Sequence, residues 1–376
     1  MIKKVLVTGG YGNFGRLIST ALSNRDDLEL IITGRREPAA NRFAQELTER
    51  GARCKTMAIA GDIHSRELLQ ILTRIKPALV IHTAGPFQRQ DYHVATACID
   101  AGSHYIDLAD DRRFVCDFHT LTQHALSKGV IAVSGVSSVP GLSSVVIDHY
   151  LDEFVSLREI DFCIVPGSNV ELGPATLEGI LSTAGHLFQG WQKNRWQDLY
   201  GWMSPRRYDA GNELGRRWLA NVNIPDLELF PQRYRGVGTV RFQAGHELTA
   251  VHHAMVLMGL LTRMKIINNW ARYTVPLHKL GRLVRALGSD TGGMVIKMSG
   301  LNLSGQPQTI TWRMIARHGV GPHIPTIPAI ILANRILDNT LTQPGAFPCL
   351  GMFTLDEFMG AAGELGIHQQ EERSVG

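Results

Sequence analysis

Three glycines near the amino terminus constrain this chain more than any other feature. Gly10, Gly12 and Gly15, spaced G-x-G-x-x-G, stand directly after the apolar run KVLVT at 4–8 and open an amphipathic stretch that ends at Leu22. Strand, glycine turn and helix in that order form the first half of a βαβ unit. The first glycine permits the tight turn, the second lets backbone amides approach a diphosphate, and the third lets helix and strand pack closely. The positive end of the helix then faces the phosphates. Gly10, Tyr11, Gly12, Asn13, Phe14 and Gly15 are therefore expected to hold a dinucleotide.

The end of the second strand, LELIIT at 28–33, reads on the nucleotide. A site for NAD places Asp or Glu there to accept from the ribose 2′-hydroxyl. This chain instead continues Gly34-Arg35-Arg36, with no acid at the strand end. A guanidinium fork matches a 2′-phosphate and stacks on adenine, which points to NADP rather than NAD. Topology adds Asp62 and Ile63, after the third strand, beside the adenine, and Ala84, Gly85 and Pro86, after the fourth, along the ribose.

Short β-branched runs alternate with helical patterns as far as Ser134, giving strands near 4–8, 28–33, 54–59, 78–83, 104–108 and 130–134. Ser65 is expected to cap the helix that runs to Ile75. Six strands with crossover helices make an α/β, doubly wound parallel sheet of the Rossmann type. Beyond about residue 150 the alternation stops. Segments 294–302 and 308–318 read as an antiparallel hairpin across Ser304-Gly305-Gln306-Pro307. The expectation is a Rossmann domain over 1–136, with a return of 322–376, and a second α+β domain over 137–321 on a largely antiparallel sheet for substrate or dimerisation. A helix near 329–338 and an amphipathic stretch at 354–365 belong to the return, and the last eight residues are expected to fray.

Composition narrows the setting. Hydrophobic residues at 44% and charged residues at 19% exclude large-scale disorder. The net charge of +4 is small, the arginines are scattered, and no nucleic-acid module is visible, so no nucleic-acid partner is expected. Cys54, Cys98, Cys116, Cys163 and Cys349 form no CxxC pair, which speaks against a zinc site or disulfide framework and for a reducing, cytoplasmic setting. The start MIKKVLVTGG has too short an apolar run for a signal peptide. The longest apolar stretch, 254–261, falls short of the ~18 residues of a membrane span and reads as a buried helix, so no membrane partner is expected.

Hydride chemistry needs a group that trades a proton with the substrate heteroatom beyond the carboxyl ends of the strands. Asp107, Asp110, Asp111 and Arg112 follow the fifth strand there. Asp110 or Asp111 suits an acid/base role or a substrate ammonium, and Arg112 a carboxylate. Two acids before a helix also suit an N-cap. Ser137, within 136–141 after the sixth strand, suits the carboxamide of nicotinamide or a substrate carboxylate, and equally an ordinary interdomain crossover. His82 reads as a strand residue satisfied by neighbours. His252 and His253, adjacent on a helix, face different ways, so no metal is expected. Trp191, Trp196, Trp202 and Trp218 suit a pocket wall or a core. A short-chain dehydrogenase needs Tyr four residues before Lys, and none of the eight tyrosines has that partner.

The run IHTAGPFQRQDYHVATACIDAGSHYIDLADDRRFV at 81–115, with the glycine turn before it, resembles the saccharopine dehydrogenase-like family of bacterial NADP-binding oxidoreductases. VSSVPGLSS at 136–144, DLYGW at 198–202, TVRFQAGHEL at 239–248 and GVGPHIPTIPAIILA at 319–333 are similar to it too, as is PGAFPCLGMFTLDEF at 344–358. The resemblance implies a Rossmann domain plus a second domain, a small-molecule substrate between them, and NAD(P)-linked oxidation of a secondary amine or reduction of the imine at an amino-acid backbone. Such chemistry calls for cationic anchors, for which Arg112, Arg206 and Arg207 are available. A homodimer is possible. The alternatives are an NADP-binding sensor or scaffold without turnover, and a reductase of carbonyl or enoyl substrates.

Overall fold

The computed structural model describes residues 2–62, 68–170 and 172–376. Contacts divide the chain into two units, Met1–Gly141 with His323–Phe353, and Leu142–Pro322 with Thr354–Gly376.

The first unit is built on β1 (Lys3–Thr8), α1 (Asn13–Leu22), β2 (Leu28–Gly34), α2 (Glu37–Glu49), β3 (Lys55–Ala60), α3 (Leu68–Ile75), β4 (Leu79–His82), α4 (His93–Asp100), β5 (His104–Asp107), α5 (Arg112–Cys116), α6 (Thr122–Lys128) and β6 (Ile131–Ser134). The strands run parallel in the order β6-β5-β4-β1-β2-β3. Helices cover both faces of a parallel sheet, so its strands read as unbroken apolar runs rather than alternating ones. Val5, Leu6 and Val7 of β1 and Leu79, Val80 and Ile81 of β4 are accordingly buried. A 3-10 turn at Asp117–Leu121 separates α5 from α6.

Six strands were legible, but the sheet has seven. Gly345–Pro348 pairs in parallel with β6 as an edge strand. At four residues, beginning in glycine and ending in proline, it lacks strand propensity, and only an edge position tolerates the missing N–H. The helix Ile327–Leu337 packs against α1, β4 and β5.

The second unit holds α7 (Ser143–Leu151), β7 (Phe154–Val165), α8 (Pro174–Ser182), β8 (Leu187–Gln192), β9 (Arg195–Tyr200), β10 (Arg206–Asp209), β11 (Arg216–Asn221), α9 (Asp226–Arg233), β12 (Thr239–His246), α10 (Thr249–Arg263), α11 (Thr274–Arg285), β13 (Gly292–Asn302) and β14 (Pro307–Ala316). Its main sheet runs β10-β11-β12-β7-β13-β14 and then His368–Val375. Only the β12–β7 pair is parallel, as a largely antiparallel α+β sheet requires. β13 and β14 form the expected hairpin. A separate hairpin, β8–β9, turns through Lys193 and Asn194, both at positive φ, the left-handed pair that a tight two-residue turn needs.

Two sequence expectations give way here. The last residues do not fray: His368–Val375 pairs along β14 from Ile315 to Gln308 and completes this sheet. That pairing draws residues 354–376 into the second unit, so the return to the first is shorter than 322–376. The apolar run 254–261 is not a buried helix either. It lies in α10, where Leu257 and Leu260 are exposed while His252, Met255, Gly259 and Thr262 form the buried side.

Candidate functional site

The carboxyl ends of β4, β1, β2 and β3 stand side by side in the first sheet, and the glycine turn lies at the switch point between β1 and β4. Gly9, not Gly10, takes the left-handed conformation, with φ +68°. Gly10 instead answers a packing need, since a Cβ there would come 2.9 Å from the Val7 carbonyl oxygen. Gly15 behaves as expected: a Cβ would lie 2.3 Å from the Gly9 oxygen and 2.7 Å from Gly10 Cα. Gly12 is the N-cap of α1 and exposed, with no side chain capping it and no acid in the first turn. An uncapped, acid-free helix tip brought down on a glycine turn fits a diphosphate.

The end of β2 completes this face. The Tyr11 ring lies so tightly on Gly34 that a Cβ there would sit 2.4 Å from it. The Tyr11 hydroxyl accepts from the Arg36 backbone N–H at 3.0 Å, and the Arg36 guanidinium sits 5.6 Å from the ring centroid. Arg35 and Arg36 are exposed, and among the described residues no carboxylate pairs with either. Two unneutralised guanidinium groups beside the glycine turn fit a phosphate on the ribose. Gly61 donates to the Gly34 oxygen at 3.3 Å, which brings exposed Asp62 to the same edge. Ile63 and Ser65 lie outside the described residues.

The loop after β4 is held close to the turn. Thr83 donates from its backbone and hydroxyl to the Thr8 oxygen, and a Cβ on Gly9 would meet Ala84 at 3.1 Å. Gly85-Pro86 is a cis peptide, and Gln90 spans the loop, donating to the oxygens of Ala84 and Pro86. His82 is fully buried between the Thr8 hydroxyl at 2.7 Å and Gln90 Oε1 at 3.3 Å, the satisfied strand histidine expected. Nothing in the sequence marked Gln90, because a polar residue in a loop carries no periodic signal.

Beyond β5 the three acids separate by role. Asp107 is fully buried, and its Oδ1 accepts from Ala109 N–H, Gly135 N–H and the Ser134 hydroxyl, all at 2.9 Å. It ties the end of β5 to the end of β6. Burial pushes its carboxyl up to about 6, and its Oδ2 and the buried Tyr105 hydroxyl, each without a well-formed hydrogen bond, act on one another electrostatically. Asp111 caps α5 by accepting from Phe114 N–H at 2.9 Å, with burial raising its carboxyl. Asp110 is exposed and accepts from Gln88 Nε2 at 3.1 Å. Arg112 is half-buried, and Ser137 is buried after Gly135, whose φ is +75°. The turn, Arg35-Arg36, Asp62, Ala84–Pro86, Asp110–Arg112 and Ser137 thus all lie past the carboxyl ends of one sheet.

Other candidates fall elsewhere. Arg206 grips Asp161 through both carboxylate oxygens, at 2.7 and 2.9 Å, so it is not a spare anchor. Trp191 faces Trp196 across the β8–β9 hairpin and Trp202 is buried in a small apolar cluster, so these rings pack rather than line a pocket.

Residues 5–133 match the family model described as the saccharopine dehydrogenase NADP binding domain. No curated protein matches the chain. Among solved structures, saccharopine dehydrogenase (L-Glu forming) from Saccharomyces cerevisiae is similar over 99% of this chain and 100% of its own, with a TM-score of 0.73 at 13% identity. A dehydrogenase from Clostridium difficile covers 97% of each chain at 9% identity, with a TM-score of 0.43. Residues 5–133 thus match the saccharopine dehydrogenase NADP binding domain, and the fold of the whole chain is similar to that of the yeast enzyme.

Proposed function

We propose that this protein is an NADP-dependent oxidoreductase acting on the carbon–nitrogen bond of a small, amino-acid-derived imine or secondary amine. The observation that carries the reading is the end of β2, where Arg35 and Arg36 stand beside an uncapped glycine turn with no carboxylate partner among the described residues. The domain match and the fold of the yeast enzyme support it.

The reduced cofactor, when bound, supplies a hydride to the imine carbon. The chain must hold the substrate and deliver one proton to its nitrogen, so that C=N becomes CH–NH. Asp110, exposed at the end of β5, is the group for that proton and for a substrate ammonium. Arg112, one helical step on, is the anchor for a carboxylate. Asp111, committed to its N-cap, fixes where both of them stand. Asp107 acts through these residues, because its bonds to Ala109 and Gly135 set the course of the backbone that leads to Asp110. Ser137 serves the nicotinamide carboxamide. The five cysteines, all buried and none in a disulfide, support a reducing cytoplasmic setting.

Thermal stabilisation by NADP and NAD in parallel tests the cofactor assignment. A ligand at 100 times its Kd adds about 2.7 kcal/mol to stability. NADP should protect more than NAD, and Arg35→Ala with Arg36→Ala should erase the difference. Stronger protection by NAD overturns it. Turnover of imine and amino-acid pairs, read by the absorbance of the reduced cofactor, tests the chemistry. It should fall in Asp110→Asn while NADP protection persists. Turnover of carbonyl or enoyl compounds alone moves the protein to a different reductase class, and no turnover at all favours a sensor.

A further inference from the structure

The helical segment of the second unit leaves much of its apolar surface uncovered. α10 turns His252, Met255, Gly259 and Thr262 inward, with Met255 in a small buried cluster, and leaves Leu257, Leu260 and Met264 exposed. A helix that hides its whole apolar stripe on a core leaves no such residues outside. Trp270, in the 3-10 turn Trp270–Tyr273, donates its indole N–H to the Met258 oxygen and ties the link to α10. α11 then buries only Thr274 and carries Leu280 and Leu283 three residues apart on one side, and Leu287 follows just past its end, with Leu283 77% and Leu287 75% exposed. Single exposed leucines are ordinary, whereas a run of them along two helices and their link marks an interaction surface.

Charge says what the surface meets. From Thr249 to Ser289 there is no Asp or Glu, while Arg263, Lys265, Arg272, Lys279, Arg282 and Arg285 are basic. Among the described residues, Lys265, Arg272, Lys279 and Arg282 pair with no carboxylate. The helix packed against α11, α8, contributes one exposed acid, Glu178. We propose that α10 and α11 seat this protein on an anionic lipid bilayer, with the leucine stripe entering the acyl boundary and the adjacent Lys279 and Arg282 meeting the headgroups. A second copy fits poorly, because a two-fold interface would press an acid-free, basic face against itself. An acidic protein fits less well than lipid, because the exposed side chains are mostly Leu and Val, residues scarce at the energetic centres of protein interfaces. No helix among the described residues is long and apolar enough to cross a membrane, so the helices lie on the surface and do not span it.

Co-sedimentation of the full chain with vesicles tests this, using phosphatidylcholine alone and phosphatidylcholine mixed equally with phosphatidylglycerol. The protein should pellet with the mixed vesicles only, and less so as salt rises. Lys279→Ala and Arg282→Ala should each weaken partition about fivefold. Leu280→Asp with Leu283→Asp should abolish it while the melting temperature and its rise with NADP stay unchanged. The proposal is overturned by failure to bind the anionic vesicles, or by equal binding to both compositions. It is equally overturned by light scattering that shows a dimer which the Asp variant dissociates.

Discussion

Asp226 offers a measurement in which the sign of the effect is unusual. It is the first residue of α9, fully buried, with Ser143 Oγ donating to its Oδ1 and no partner for Oδ2. Burial raises its carboxyl from the ordinary 3.8 to about 7. A folded chain therefore keeps a proton that the unfolded chain has released, and between those two values stability falls as pH rises. Each tenfold change in proton affinity is worth about 1.4 kcal/mol. Three tenfold steps give about 4 kcal/mol, lost between pH 4 and 7 and constant above. Asp226→Asn keeps the acceptor for Ser143 and places an N–H where the acid carries its proton, but it cannot ionise. Its stability relative to wild type should therefore improve by about 4 kcal/mol from pH 4 to pH 8. All six tryptophans lie between residues 191 and 312, so their fluorescence in urea reports the second unit, where Asp226 resides. The reasoning fails if the variant and wild-type midpoints stay parallel across that range.

Three further outcomes follow from packing and charge. Gly15→Ala places a Cβ against the backbone of Gly9 and Gly10, which cannot yield as a side chain can; thermal melts should show about 1–3 kcal/mol lost and no protection by NADP. Asp161→Ala strands Arg206 and Arg241, which both bond its carboxylate, and urea unfolding should show a cost of about 3–5 kcal/mol. His252 is fully buried with neither ring nitrogen bonded, and burial lowers it from 6.5 to about 4. Folding excludes its proton, so stability is lost as pH falls through that window. His252→Phe should flatten the acid side of the pH profile.

The legible parts of the fold were those in which one local rule decides the outcome. A parallel sheet buried on both faces writes its strands as apolar runs, so β1, β2 and β4 could be placed within a residue or two. The glycine turn was legible for the same reason, although the left-handed residue proved to be Gly9, because spacing shows which glycines are close but not which carries the positive φ. Gly345–Pro348 escaped, since a strand that short is stabilised by its partner β6 and not by its own residues. The strand His368–Val375 escaped for a similar reason: HQQEERSV is polar up to its final valine, as an exposed edge permits. The acids after β5 were legible as a group, yet only coordinates could separate a cap, a buried tie and an exposed carboxylate.

The path of the chain between the units also bears on how the protein is made. The first sheet lacks its edge strand until residue 348 has been synthesised, and the second lacks its own until residue 375. Neither unit is one continuous stretch, so a ribosome that has translated only as far as residue 344 holds two sheets that each lack an edge strand. Exposed strand edges recruit other strands. A ribosome stalled there would thus leave a nascent chain prone to pair with its neighbours.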